Sequence, residues 1–153
     1  PLMPKGLDRE VQVIVTALSA DQEHYLDVLS ILAASAALTI SDIPFNGPVG
    51  AMRVGYVDGN FIFNPTAGQM EDSILDLRLA GTAEAINMVE AGASEVSEEL
   101  MLEALVRGHE AMQDVIRIQR EMRPRSANPS GRSRPPRATR RCSRRCVARL
   151  AVA

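Results

Sequence analysis

Apolar and polar positions alternate in several short stretches of this chain. Stretches that alternate, or that are short and apolar, predict β-strands at residues 10–19, 49–56, 60–64, 74–80 and 84–91. Asp58 and Gly59 separate the second stretch from the third, and this dipeptide predicts a hairpin turn between them. Gly81 and Thr82 supply a second turn, before the last stretch.

Two longer stretches predict helices. Asp27 can cap a helix that runs to about Ile40, and Pro44 follows its end. Ser97 can cap a second helix, for which we predict an apolar stripe of Leu102, Leu105, Val106, Met112, Val115, Ile116 and Met122. The order strand, helix, hairpin, two strands, helix predicts a two-layer α/β (α+β) domain, in which helices pack on a mixed sheet.

The charge of the chain changes sign after Met122. Residues 1–122 hold 7 Lys and Arg against 19 Asp and Glu, a balance of −12, whereas residues 123–153 hold 10 Arg and no acid. Residues 123–153 also lack a sustained apolar period and are rich in Pro and Ser, which is typical of disorder. We therefore predict a folded domain at 1–122 and a disordered basic tail at 123–153.

The tail has two interpretations. As a basic arm it would bind RNA phosphates with an affinity that falls with salt, and the candidate residues are Arg132, Arg134, Arg137, Arg140, Arg141, Arg144 and Arg145. Alternatively, it is not an evolved protein segment. Many Arg residues without Lys or acids, among Pro, Ser and Ala, are typical of GC-rich DNA translated out of frame. The abrupt change of composition near Met122 favours the second interpretation.

Candidate catalytic groups are sparse. Glu71, Asp72 and Asp76 are the local carboxylates, but Asp76 alternates with apolar residues in a predicted strand, so we expect it to face solvent or a sheet edge. His24 and His109 lie in no ligand-spaced motif, and we expect both on the solvated surface. The residues alone therefore predict no catalytic and no metal-binding residue.

The cysteines and the hydropathy pattern add limits on location. Cys142 and Cys146 have neither a second pair nor a nearby His, so we predict no zinc site. The chain before them is free of cysteine, which favours a reducing cytoplasm. No apolar stretch of about 18 residues predicts a membrane span.

Three segments resemble a known family. They are PKG at 4–6 with EVQVI at 10–14 and DQE at 21–23; ASAALTISDIPFNGPVG at 34–50; and LDLRLAGT at 75–82 with NMVEAGA at 87–93. Together they resemble the C-terminal part of the first of the two RNase PH-type cores of bacterial polynucleotide phosphorylase. The resemblance covers about residues 1–122 and implies an incomplete RNase PH-like core.

The resemblance implies an activity for the full-length family. In that reaction inorganic phosphate attacks the 3′-terminal phosphodiester of RNA and releases nucleoside diphosphates, with Mg²⁺ bound by the second core. The family further implies a homotrimer, RNA and phosphate as partners, contact with the RNA degradation machinery, and a role in cytoplasmic mRNA degradation.

The resemblance also indicates which core this chain contains. The Ser-rich phosphate-binding turn of the second core aligns with Tyr25, Leu26 and Asp27, and its two metal-binding acids align with Gly68 and Ile74. Only Asp76 matches an acid of that motif. We therefore expect a non-catalytic core without Mg²⁺ on this chain. The alternatives are a stand-alone RNA- or ribonuclease-binding module with a basic arm, and a structural subunit that completes a ring.

Overall fold

The computed structural model describes residues 2–5, 10–126 and 146–152, with the backbone alone for 124–126 and 146–152. Six strands and three helices follow one another along these segments. They are β1 (Val11–Ala17), α1 (Leu26–Ile40), β2 (Gly50–Val57), β3 (Asn60–Phe63), α2 (Ala67–Glu71), β4 (Leu75–Gly81), β5 (Ile86–Ala93), α3 (Glu98–Ser126) and β6 (Cys146–Val152).

The central sheet is antiparallel and has the strand order β3-β2-β4-β5. Asp58 and Gly59 connect β2 to β3 with positive φ angles of 49° and 79°, as the predicted hairpin requires. Each predicted strand lies within about two residues of an observed one. The alternation of side chains therefore located the strands well, because only one register buries the apolar face.

The main core lies between this sheet and α3. It contains Met52, Val54, Leu75, Leu77, Leu79, Ala104, Met112 and Ile116. The helix approaches the sheet closely at Gly108, where an added Cβ would meet the side chains of Leu79 and Val54. A smaller apolar cluster lies on the opposite face of the sheet, which α1 covers. It contains Val28 of α1 with Ala51 and Ala80 of the sheet.

The apolar stripe predicted for α3 is only partly buried. Met112 and Ile116 are fully buried, but Leu102 and Val106 are 62% and 57% exposed. Close approach to the sheet explains the difference, since small residues such as Ala104 occupy the contact line one turn before Gly108. The larger Leu102 and Val106 lie beside this line. The prediction that they are core residues is wrong.

The predicted class, an α/β domain with helices packed on a sheet, is confirmed. The strands do not form one mixed sheet, however, because β1 and β6 form a separate parallel pair with Val11 opposite Cys146 and Ala17 opposite Val152. This pairing satisfies backbone groups along one edge of β1.

The boundary expected at Met122 also differs from the observed one. Helix α3 continues to Ser126, and β6 lies in the tail that we expected to be disordered throughout. The short α2 was not predicted; a capping box stabilises it, in which Thr66 and Gln69 each bond the backbone of the other. In the described part of the chain, no helix combines the length and the apolar character that crossing a membrane requires.

Candidate functional site

Three of the positions that the resemblance aligns with a phosphate-binding turn and an acid motif meet around one buried arginine. Tyr25 is the N-cap residue of α1, Asp27 lies in its first turn, and Asp76 lies in β4. Arg53 of β2 donates from Nε to Asp76 Oδ1 at 2.8 Å and from Nη2 to Asp76 Oδ2 at 2.7 Å. Its Nη1 donates to Asp27 Oδ2 at 3.3 Å.

The Arg53 side chain is only 6% exposed. Its guanidinium carbon lies 3.5 Å from the centroid of the Tyr25 ring, in cation–π contact. The planar guanidinium therefore has carboxylates at its edge and an aromatic ring on its face. A two-pronged Arg–carboxylate pair of this kind fixes the orientation of both side chains.

Arg78 of β4 completes what we call the charge cluster: Asp27, Arg53, Asp76 and Arg78. Its Nη2 donates to Asp76 Oδ2 at 3.1 Å, and its Nη1 lies 3.2 Å from Glu90 Oε1. Burial alone would lower the pKa of Arg78, but the charges of Asp76, Glu90 and Asp27 outweigh burial and raise this pKa above its ordinary value.

Strand register explains why the charge cluster needs both acids. Arg53 and Arg78 lie directly opposite each other in the β2–β4 pair, where like charges repel. Asp76 bonds to both guanidinium groups and so offsets this repulsion. Asp27 approaches from α1, with Oδ2 at 3.3 Å from Arg53 and 3.5 Å from Arg78.

Two expectations about these acids are wrong. Asp76 does not simply face solvent or an edge, because its side chain is 29% exposed and binds two arginines. Asp27 is not the cap of α1; Tyr25 holds that position, and Asp27 Oδ1 accepts the N–H of Val28 at 2.7 Å. Helix α1 begins at Leu26, one residue before the predicted cap, so Asp27 lies in its first turn.

The charge cluster does not fit Mg²⁺. Both carboxylates bind guanidinium groups, so a divalent cation would have to displace them and remain beside two positive charges. The two positions that align with the metal-binding acids are Gly68, in α2, and Ile74, just before β4, so neither supplies a carboxylate. The arrangement can hold α1 against the sheet, and it offers no free carboxylate oxygen pair for a metal.

A second polar group lies in the turn before α1. Asp21 Oδ1 accepts the backbone N–H groups of His24 and Glu23, each at 3.0 Å, and Oδ2 lies 2.6 Å from His24 Nδ1. These contacts, first of all the His24 N–H, hold the pKa of Asp21 far below its usual range, and Asp21 raises the pKa of His24. The side chains of Asp21, Glu23 and His24 are all exposed. One carboxylate oxygen or imidazole nitrogen from each lies within 4.8 Å of those of the other two.

His24 is exposed as predicted, whereas His109 is only partly exposed. Its Nε2 lies 3.0 Å from the backbone oxygen of Thr82, within hydrogen-bonding distance. His109 thereby joins α3 to the turn between β4 and β5. No local sequence pattern indicates this contact, since the two residues lie far apart along the chain.

A buried hydrogen-bond group connects both helices to the start of β2. Ser35 Oγ donates to Gln119 Oε1 at 2.6 Å and accepts the N–H of Val49 at 2.8 Å. Gln119 Nε2 donates to the Val49 carbonyl at 2.9 Å. This closed set satisfies side chains that are almost fully buried and fixes where α1 and α3 cross.

The candidate RNA-binding arginines cannot be placed. Arg132, Arg134, Arg137, Arg140, Arg141, Arg144 and Arg145 all lie outside the described residues. The same holds for Cys142. Their assigned roles stay predictions.

Known proteins resemble this chain first in the class of its domain. Residues 47–111, which include β2 to β5 and the first half of α3, match the family described as "3′ exoribonuclease family, domain 2". The structure of rice (Oryza sativa) Rrp46 has the same fold, with a TM-score of 0.63 at 15% identity over 81% of this chain and 79% of that one. Residues 47–111 are therefore similar to a domain of the 3′ exoribonuclease family, and the rice protein shows the same fold.

More specific relatives are polyribonucleotide nucleotidyltransferases, which are the polynucleotide phosphorylases named above. The protein of Thermomicrobium roseum is 52% identical over 136 residues, and that of Streptococcus agalactiae is 55% identical over 122 residues. These matches cover 89% and 80% of this chain but only 17% of each relative. The resemblance is confirmed: the chain is similar to a segment of that enzyme, over about a sixth of its length.

Proposed function

We propose that this chain is a non-catalytic core segment of a phosphorolytic 3′-to-5′ exoribonuclease. The charge cluster carries this proposal. At the positions that align with the phosphate-binding turn and the metal-binding acids, Arg53 and Arg78 bind both available carboxylates. A site closed in this way positions α1 on the sheet and leaves no group to bind a metal or activate phosphate.

The reaction belongs, in this proposal, to the whole enzyme. Phosphate oxygen would attack the 3′-terminal phosphorus of RNA, the shortened RNA would leave through its 3′ oxygen, and a nucleoside diphosphate would be released. Mg²⁺ would be held by the other core, and the enzyme would act on mRNA in the cytoplasm as a homotrimer. The identity of 52–55% to polyribonucleotide nucleotidyltransferases supports this assignment.

The test is phosphorolysis by the purified full chain. With poly(A), phosphate and Mg²⁺ we expect no release of ADP, while the full-length Streptococcus agalactiae relative, assayed in parallel, releases it. Release of ADP that co-elutes with the chain and is lost in Asp76→Asn would overturn the proposal. Release that is unchanged in Asp76→Asn would place catalysis elsewhere in the chain and would overturn it as well.

A second candidate function is a binding module with a basic arm for RNA or for a ribonuclease. The observation that favours it is the distribution of charge. Residues 123–153 contain 10 Arg and no acid, whereas residues 1–122 have a net charge of −12. Such an arm would bind RNA without sequence preference and with steep salt dependence. We expect deletion of residues 123–153 to abolish RNA binding in a filter assay. Binding that survives this deletion at about 0.2 M salt, where screening is already strong, would place the RNA site in the body.

A further inference from the structure

Strand β5 ends the antiparallel sheet and has an open edge. It pairs with β4 on one side, and the structure assigns no partner among the described residues to its other side. Its eight residues include no Pro and no Lys, the residues that commonly protect such an edge. An unprotected edge of this length can accept another strand through its free N–H and C=O groups.

An apolar surface lies directly beside this edge. Val89 is opposite Leu79 in the β4–β5 pair, so its side chain projects from the sheet face that α3 covers, and it is 52% exposed. Leu102 and Val106 of α3 are also exposed. Between α3 and the start of β5 runs an open groove of about 380 Å³, lined by Ile86, Leu105 and Val106 among others.

The surroundings of the edge and groove are acidic. From Glu84 to Val106 the chain has six Glu and neither Lys nor Arg. Glu84 and Glu110 line the groove, and Glu90 projects from β5 on the opposite face of the sheet, beside Arg78. A second copy of this chain would bring the same acids into contact, so charge disfavours self-association here and favours a basic partner.

We propose that β5 and the adjoining surface of α3 form a docking site for an extended, basic segment of a partner protein. The segment adds to the sheet as a fifth strand of about eight residues, because strand pairing follows the length of β5. Every second side chain is apolar and contacts Val89, Leu102 and Val106. The intervening Lys or Arg side chains lie on the other face, near Glu90.

The experiment uses the full chain and three synthetic ten-residue peptides labelled with fluorescein. One alternates Val with Lys, one alternates Val with Glu, and one is the Val–Lys peptide with N-methyl groups that remove alternate backbone donors. We expect saturable binding by fluorescence anisotropy for the first peptide only, weakening with salt, together with slower amide exchange within Ile86–Ala93.

Variants locate the site. Val89→Ser and Val106→Ser should each weaken the Val–Lys peptide on the order of tenfold, because apolar burial is lost. Glu90→Gln should weaken it about two- to fivefold, as for an exposed ion pair, because Glu90 lies on the face to which the Lys side chains project. Ile118→Ser, which changes another exposed apolar residue of α3, serves as the matched control and should leave affinity unchanged. Circular dichroism verifies that each variant is folded.

Several results would overturn the proposal. Equal binding of the N-methylated peptide would exclude strand addition, and equal binding of the Val–Glu peptide would exclude charge recognition. Affinity that is insensitive to both serine variants would place the peptide elsewhere. A dimer in analytical ultracentrifugation, with the β5 amides protected before any peptide is added, would identify a second copy as the occupant instead.

Discussion

Replacement of Arg53 by Met tests the charge cluster most directly. Met retains an unbranched apolar stem that can fill the space between α1 and the sheet, but it removes the guanidinium group. Asp76 then loses two hydrogen bonds of 2.7 and 2.8 Å, and Asp27 loses one of 3.3 Å. The stacking on Tyr25 at 3.5 Å is lost as well.

The expected cost follows from how buried each partner is. Removing one member of a fully buried ion pair costs about 3–5 kcal/mol, because the remaining charge stays desolvated. Here the side chains of Asp27 and Asp76 are 36% and 29% exposed, so water can replace part of the lost interaction. Arg78 also remains within 3.1 Å of Asp76. We therefore expect a loss of about 2–3 kcal/mol in the free energy of unfolding.

Urea denaturation followed by circular dichroism measures this loss, which should lower the midpoint by about 1–2 M. The matched control is Arg117→Met, since Arg117 also contacts two carboxylates, Asp114 and Glu121, but on the exposed surface of α3. We expect no measurable change there. Equal midpoints for Arg53→Met and the unmodified chain would refute the reasoning, because they would mean that the charge cluster contributes nothing to stability.

Three further predictions concern other parts of the fold. Gly108→Ala should destabilise the chain by about 1–3 kcal/mol in urea, because its Cβ would overlap core side chains, whereas Gly68→Ala in α2, with open space around it, should stabilise by about 0.5–1 kcal/mol. Ser35→Ala leaves a buried amide oxygen and a backbone N–H unpaired and should cost about 1–3 kcal/mol, measured in the same way. The pKa of His24, followed by NMR, should lie above its ordinary value and return to it in Asp21→Asn. Because the pKa is raised in the folded state, the contact between His24 and Asp21 stabilises the turn fully at pH values below the ordinary His pKa. This stabilisation is lost as the pH rises through the raised pKa.

Features set by local sequence were predicted well. A short apolar stretch and the Asp58–Gly59 turn located the β2–β3 hairpin, and period-two alternation located β4 and β5. Ser97 accepts the N–H of Leu100 at 3.3 Å, as the predicted cap of α3. These features depend on residues within one turn or one hairpin, so the sequence contains the information directly.

Features set by contacts between distant elements were not predicted. Arg53 was read as part of an apolar stretch, and its role depends on the register of β2 against β4 and on where α1 begins. A charged residue inside an apolar strand was the one signal that could have identified it. For α3, only part of the predicted apolar stripe is buried, because the helix buries small residues such as Ala104 where it approaches the sheet closely.

The arginines, rather than the missing acids alone, separate this charge cluster from a metal site. Gly68 has open space around it and Ile74 is an exposed residue, so both aligned positions could carry an acid without steric cost. Arg53 would still neutralise Asp76, and the buried guanidinium would still repel a divalent cation. Removing Arg53 would in turn leave Asp27 and Asp76 beneath α1 with Arg78 as their remaining cationic partner in the cluster. The interaction that closes the site to a metal is therefore also one that holds the helix on the sheet.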